Sequence, residues 1–239
     1  MICLYFEAFP DGAVLLHDDW GTSFKVRTSV NLTPDQWRSA KDTVSHNFIL
    51  RYIDGRDKDG GVSFIEHALH FICEVSSTET MATCMNFHSV LKYIMETVPY
   101  EVKLFIRWTD GTSKQYKNSG NFGFEKMLGI RYKMKMSHNF FVTYWGKGKV
   151  DLLGGIVPGL YTKLVAILLE RENDLRLVVR MMNSNYGIPG STRAESCLAL
   201  RVFFYVSREE NELAKQQRTK WKTLNFPTGV TVTIIFFSP

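Results

Sequence analysis

The sequence lacks the features that mark several protein classes. Its 239 residues include only four cysteines, and no two of them form a Cys-x-x-Cys pair. This scatter supports neither a disulfide framework nor a zinc site. No apolar run approaches the ~20 residues that a membrane span needs, and the first nine residues lack the basic start of a secretory signal. We therefore expect a folded intracellular protein without a membrane partner.

Other signatures of catalysis and of repeat architecture are also missing. The six histidines fit no metal-ligand spacing, and no Ser-His or Cys-His arrangement for nucleophilic catalysis is visible. There is no internal repeat and no low-complexity segment. These absences exclude a histidine-based metal site, a catalytic triad and a solenoid.

Charge is concentrated in one stretch of the chain. The net charge is only +5, but residues 103–149 contain ten basic residues against two acidic ones. Such a concentration favours a phosphate-rich ligand. An ordinary solvated face of flexible lysines explains the charge equally well.

Carboxylates follow apolar strands at three places. The strands Ala13 to Trp20 and Glu101 to Trp108 end close to Asp19 and Asp110, and the Asp-Gly turn at 110 stops the second one. Asp18 competes with Asp19 for the same role. We expect the two acids to lie at one edge of a sheet.

A third acid follows the strand predicted from Met136 to Trp145. A Gly-Lys-Gly turn comes next, and Asp151 then opens a segment with helix-start features. Lys147 and Lys149 beside the glycines suit phosphate binding, although a plain exposed turn is an equal explanation. Carboxylates on one rim in a basic setting predict a divalent-metal site that handles a phosphate backbone.

The order of elements predicts the α/β class. With two more strands (Thr43 to Ile53 and Ala68 to Val75) and two helices (Thr78 to Val98 and within Phe122 to Arg131), it reads β-β-β-α-β-α-β-α. Further on, the patterns predict a helix in Asn173 to Met182, a strand or buried helix at Leu198 to Val206, a capping box at Ser207 to Glu210 that opens a helix, and a strand from Val230 to Phe237.

Two blocks of the sequence carry a family resemblance. WTDGTSKQYKN (Trp108 to Asn118) and FFVTYWGKGKVDLLGG (Phe140 to Gly155) resemble, in residues, order and spacing, two blocks of the RNase H-like transposon-derived proteins of animal genomes. LLHDDW and SREENELAKQQRTKWKTL are weaker matches to segments before and after these blocks. The resemblance implies an RNase H-like mixed five-stranded sheet flanked by helices, with a core over residues 1–170 and an extension over 171–239 packed on it.

The resemblance also implies a function. DDE or DDD transposase and integrase domains use three carboxylates and two divalent ions for strand transfer or phosphodiester cleavage. Carried over, this makes Asp19, Asp110 and Asp151 the catalytic and metal-binding residues, with Mg²⁺ or Mn²⁺ as cofactor. DNA becomes the partner, contacted largely independently of sequence, in the nucleus; a homo-oligomer is left open. The predicted DNA contacts are Lys114, Lys117, Lys147 and Lys149.

Departures from the family pattern leave an alternative. Trp145 stands where the block has a histidine, Leu152 where it has a glycine, and Thr22 and Ser23 where the first block has Glu-Asn. Tryptophan neither accepts a proton nor binds a metal. The chain is therefore a divergent active enzyme, a dead copy of the element, or a catalytically inactive, domesticated domain that binds DNA or protein. Because it starts close to the first strand, we expect a catalytic core without an upstream DNA-reading domain.

Overall fold

The computed structural model describes residues 9–25, 33–35, 42–56, 58, 61–74, 79–141, 149–168, 174–188, 198–213 and 216. They form a mixed α/β fold of seven strands and four longer helices. The strands are β1 (Ala13–Trp20), β2 (Phe24–Lys25), β3 (Asp42–Arg56), β4 (Val62–Cys73), β5 (Leu104–Thr109), β6 (Lys135–Phe140) and β7 (Leu198–Val206). The helices are α1 (Thr80–Thr97), α2 (Ser119–Tyr132), α3 (Lys149–Leu168) and α4 (Leu175–Tyr186). None of these helices is long and apolar enough to cross a membrane.

One sheet holds the structure together, in the order β6-β5-β1-β3-β4-β7, with β2 paired to β3. β1 pairs antiparallel with β3, and β3 pairs antiparallel with β4. β5 lies on the other side of β1 and parallel to it, and β6 lies parallel to β5. The ends of β1, β5 and β6 therefore lie at one edge of the sheet.

Helices cover both faces of the sheet. Alternate residues of the strands, such as Leu16 of β1 and Phe48 of β3, pack against Phe87 and Leu91 of α1 and Phe124 of α2. The intervening residues face α3 and α4, where Ile49 and Ile72 meet apolar residues of those helices. This division follows from the period of two in a strand, which sends consecutive side chains to opposite faces.

The α/β class and the mixed sheet flanked by helices are confirmed, but the sheet is larger than the five strands expected. β2 adds a short pair, and the segment Leu198 to Val206, left open between strand and helix, is the strand β7 beside β4. Asn183 of α4 shields the exposed edge of β7, because its side chain donates to the carbonyl of Phe203 and accepts from the amide of Phe203.

The capping box is also confirmed. The hydroxyl of Ser207 accepts from the amide of Glu210, and the Glu210 carboxylate accepts from the amide of Ser207. A helical segment follows over residues 208–213. The predicted end of the strand at Trp145 and the predicted strand from Val230 to Phe237 lie outside the described residues.

Two glycines allow α3 to lie close to the sheet. A Cβ built on Gly154 would stand 2.6 Å from the side-chain nitrogen of Asn47, and one on Gly21 would stand 2.6 Å from the hydroxyl of Ser45. The Asn47 amide has no freedom to withdraw, because it donates to the Ser45 hydroxyl and accepts from His70. Only glycine at position 154 therefore permits this approach.

We predict opposite effects of alanine at two adjacent glycines of α3. Gly154→Ala forces α3 away from Asn47, and overpacking of this kind costs about 1–3 kcal/mol. Gly155→Ala is the matched control, because a Cβ there meets nothing within 4 Å and alanine improves helix propensity by up to about 1 kcal/mol. Urea unfolding of both variants measures the difference. Equal stabilities would contradict the close approach.

Candidate functional site

Two of the three predicted acids are in contact. Asp19 lies one residue before the end of β1, and Asp151 lies in the first turn of α3. The Asp151 carboxyl is near enough to Asp19 to act on its pKa by hydrogen bonding as well as by charge. Two carboxyl groups share such a bond only while one of them carries a proton.

The electrostatics of Asp19 follow from this contact. Burial, the hydrogen bond and charge of Asp151, and the charge of Asp110 together raise the pKa of Asp19 to about 8, and burial is the largest cause. The amide of Trp20, which donates to Asp19 Oδ1 at 2.8 Å, acts in the opposite direction. At neutral pH the site therefore favours a proton or another cation between its carboxylates.

The third acid, Asp110, lies nearby but is engaged by its own turn. It directly follows β5, and its carboxylate accepts from the amide of Thr112 at 3.1 Å and from the hydroxyl of the same residue. Within the described part of the chain, no group of three or more His, Cys, Asp or Glu side chains is arranged to hold a metal ion. Asp110 thus contributes its charge to the site while its oxygens bind Thr112.

Asp18 and Asp19 are separated by the alternation of the strand. Asp19 faces α3, whereas Asp18 is fully buried on the other face and forms an ion pair with Arg107. Although burial acts in the opposite direction, Arg107 and a hydrogen bond from His46 hold the pKa of Asp18 well below its usual range. Asp18 is therefore not available to a ligand at the site.

Two neighbours of the acids were missed in the sequence. His17 lies on the same face as Asp19, with its ring 4.8 Å from that of Phe141. Burial lowers the pKa of His17 to about 4, although Asp18 and Asp151 act against this, so the imidazole is neutral at physiological pH. Asn47 is the residue opposite Asp19 on β3. The spacing of two residues between His17 and Asp19 in a strand was a signal that both face the same side. The position of Asn47 opposite Asp19 required the strand register, which the sequence alone does not give.

The predicted DNA-contacting lysines differ in their surroundings. Lys114 and Lys117 are exposed on the connection after β5, and Lys117 Nζ lies 5.8 Å from the ring of Phe140. Lys149 instead forms an ion pair with Glu66 of β4, which also binds Arg51. Lys147 lies outside the described residues, as does Trp145. The side chains of Lys114 and Lys117 are thus open to a ligand, whereas the charge of Lys149 is compensated.

The block WTDGTSKQYKN also has an architectural role. Tyr116 is buried, and its hydroxyl lies 3.2 Å from His46 Nε2. The side chain of Asn118 caps α2 by accepting from the amide of Asn121. The block therefore fixes the connection from β5 to α2 and with it the position of Asp110.

We predict that Asp19 makes the metal-free protein less stable as the pH rises. An aspartate in the unfolded chain has a pKa of about 3.9, so above this pH the folded state holds a proton that the unfolded chain has released. The stabilising contribution of Asp19 is complete below about pH 4 and is lost as the pH rises through 8. We expect Asp19→Asn to remove this pH dependence of the free energy of unfolding. Urea unfolding in EDTA between about pH 4 and pH 8 measures it.

Asp11→Asn is the matched control, because Asp11 is an exposed carboxylate outside the site that pairs with Arg56. It should leave the pH profile as in the wild type. A profile of Asp19→Asn that parallels the wild type over this interval would show that Asp19 is ionised normally in the folded protein.

The similarity to a known family covers residues 7–223, a range that includes Asp19, Asp110 and the start of α3. No curated protein matches the chain. These residues match the model of a family described as a domain of unknown function (DUF8701), and the chain belongs to this family.

Proposed function

We propose that this chain is an RNase H-like domain that carries out metal-dependent strand transfer or cleavage at the phosphodiester backbone of DNA. The observation that carries the proposal is the hydrogen-bonded pair Asp19 and Asp151 at one edge of the sheet, with Asp110 close enough for its charge to act on Asp19. Carboxylates held together in this way are stabilised by a hard cation.

The topology supports the RNase H-like assignment. Three strands joined in antiparallel fashion, β1, β3 and β4, are followed by a helix and then by two strand-helix units whose strands run parallel to β1. Asp19 lies at the end of the first of these five strands, Asp110 follows the fourth, and Asp151 lies in the first turn of the helix after the fifth. This arrangement agrees with the order of elements from which the resemblance started.

The donor chemistry fits Mg²⁺ or Mn²⁺. Both ions prefer carboxylate oxygens, which Asp19 and Asp151 provide together and Asp110 provides once Thr112 releases it. A divalent ion held here would activate a water or a 3′ hydroxyl and stabilise the leaving oxygen. The chain's own residues would orient this chemistry. Asn47 lies opposite Asp19 and contacts α3, and neutral His17 lies two residues before Asp19 on the same face of β1.

The DNA would be held by the exposed lysines near the carboxylates. Lys114 and Lys117 lie four and seven residues beyond Asp110, on the connection that leads away from the same edge of the sheet. Ammonium groups bind phosphates as point charges and carry no sequence information. Binding would therefore be largely independent of sequence, as suits a nuclear protein that acts on the backbone of DNA.

A second candidate function is an inactive domain that binds DNA or protein. The bonds from Thr112 to Asp110 favour it, because they occupy the oxygens that a third metal ligand would use. Leu152, which replaces a glycine of the family block, adds an exposed apolar side chain beside Asp151. These observations lead us to expect weak or no cleavage of supercoiled or nicked DNA.

We predict that Mn²⁺ stabilises the protein at neutral pH and that Asp110→Asn abolishes this effect. Ligand binding at a hundred times its Kd stabilises a fold by about 2.7 kcal/mol. The asparagine keeps an oxygen that accepts from Thr112 but removes the charge that acts on Asp19, so the metal-free variant should be at least as stable as the wild type. Thermal melting with EDTA and with Mn²⁺ measures both effects.

The matched control is Asp174→Asn, at a carboxylate that caps α4 and lies outside the site. Because asparagine keeps the oxygen that accepts from Arg176, the change in Tm should be small, and it should be the same with and without Mn²⁺. If Asp110→Asn behaves in this way too, Asp110 is a structural turn residue and the metal assignment fails.

We predict a steep salt dependence of DNA binding that involves the two exposed lysines. Log affinity falls with log salt concentration with a slope of about −0.9 for each duplex phosphate neutralised. Replacing both Lys114 and Lys117 by alanine should make the slope less negative, by the amount that corresponds to the loss of up to about two phosphate contacts. Lys92→Ala, at an exposed lysine of α1, should not change the slope. Salt-independent binding, or no binding at low salt, would count against the proposed function and against an inactive domain that binds DNA.

A further inference from the structure

A chain of buried polar side chains lies on the face of the sheet opposite the carboxylates. Its centre is the ion pair of Asp18 and Arg107, which are 0% and 1% exposed. Arg107 donates from Nε to Asp18 Oδ1 at 2.8 Å and from Nη2 to Asp18 Oδ2 at 2.7 Å. This two-point contact fixes β1 and β5 relative to each other in both position and orientation.

The chain continues from Arg107 to the end of β5. Arg107 Nη1 donates to Glu125 of α2 at 2.6 Å, and Glu125 pairs with His138 of β6. His138 Nε2 lies 2.9 Å from the hydroxyl of Thr109, the residue that precedes Asp110. The polar chain thus returns to β5 at the last residue before the third acid.

The other end of the chain reaches β3. Asp18 Oδ2 lies 3.0 Å from Nε2 of His46, and His46 precedes Asn47. Asp19 in β1, Asn47 in β3 and Asp110 directly after β5 are therefore each preceded by a residue of the buried polar chain. The pairs are Asp18 with Asp19, His46 with Asn47, and Thr109 with Asp110.

Stability alone is a poor reason for such a group. Taking two charges out of water costs several kcal/mol per ion, and buried ion pairs are often replaced by apolar residues without loss. What the bonds provide, and apolar contacts do not, is a defined direction and distance between strand ends. A site whose acids repel one another requires such fixed positions.

We propose that Asp18 and Arg107 are positioning residues for the metal site, which act through the strand ends of β1 and β5 to set the separation of Asp19 and Asp110. The inference rests on the proposed function, because it assigns to the buried pair the task of presenting the carboxylates to a divalent ion. Neither residue touches the ion or the DNA.

The test is a Mn²⁺ titration of the full chain, in which the electron paramagnetic resonance of free Mn²⁺ gives its Kd. The variant is Asp18→Leu with Arg107→Met, which replaces the buried ions by apolar side chains. Residues that orient metal ligands typically change metal affinity by 10- to 100-fold, so we expect the Kd of this variant to rise by about tenfold or more. Its melting temperature in EDTA reports separately on the fold.

The matched control is Tyr132→Phe, which removes the hydrogen bond between Tyr132 and His88 in the same core, away from the strand ends. Its Mn²⁺ affinity should equal that of the wild type. If the double variant does not fold, Thr109→Val serves in its place. It removes the bonds of the Thr109 hydroxyl to His138 and to the carbonyl of Asp110 and should also weaken Mn²⁺ binding.

The outcomes separate this inference from the proposed function. A folded variant that binds Mn²⁺ as tightly as the wild type overturns the positioning role and leaves the metal site standing. Wild-type protein that binds no Mn²⁺ overturns the proposed function and this inference with it. A variant that folds as well as Tyr132→Phe but binds Mn²⁺ more weakly supports the positioning role.

Discussion

The site depends on how closely α3 lies on the sheet. Gly154 faces Asn47 and Gly21 without a side chain between them, so the first turn of the helix comes down beside the end of β1. This approach brings Asp151 within hydrogen-bonding distance of Asp19, although the two acids are far apart in sequence. A bulkier residue at position 154 would separate them.

Asp19 and Asp151 are held close to each other, despite their mutual repulsion, because both belong to well-packed secondary-structure elements. Asp19 belongs to a strand paired on both sides, and Asp151 to a helix packed on the buried residues Ile49 and Ala68. Repulsion is relieved by a shared proton, which is reflected in the raised pKa of Asp19. Arrangements that reduce stability are common at functional sites. A cation that takes the place of the shared proton is the simplest reason for keeping these two carboxyl groups together.

The sequence revealed the strand ends and their acids, because hydrophobic alternation and turn residues are local signals. It did not reveal which charged side chains form ion pairs. Arg107 counted toward the basic stretch but is buried against Asp18, and Lys149 pairs with Glu66. The strand β7 stayed ambiguous because a short apolar run fits a buried helix equally well. The contact between Gly154 and Asn47 depends on tertiary packing, which no spacing in the sequence encodes.

The central claim is that the carboxylates at this edge of the sheet form a divalent-metal site. A crystal structure of the full chain grown with Mn²⁺ tests it most directly, because the anomalous signal of manganese locates the ion without assumptions about its ligands. The account predicts manganese bound to both Asp19 and Asp151, with the Asp110 carboxylate turned from Thr112 toward the ion. Crystals that contain Mn²⁺ in solution and show Asp19 still hydrogen-bonded to Asp151, with no ion between them, would contradict it.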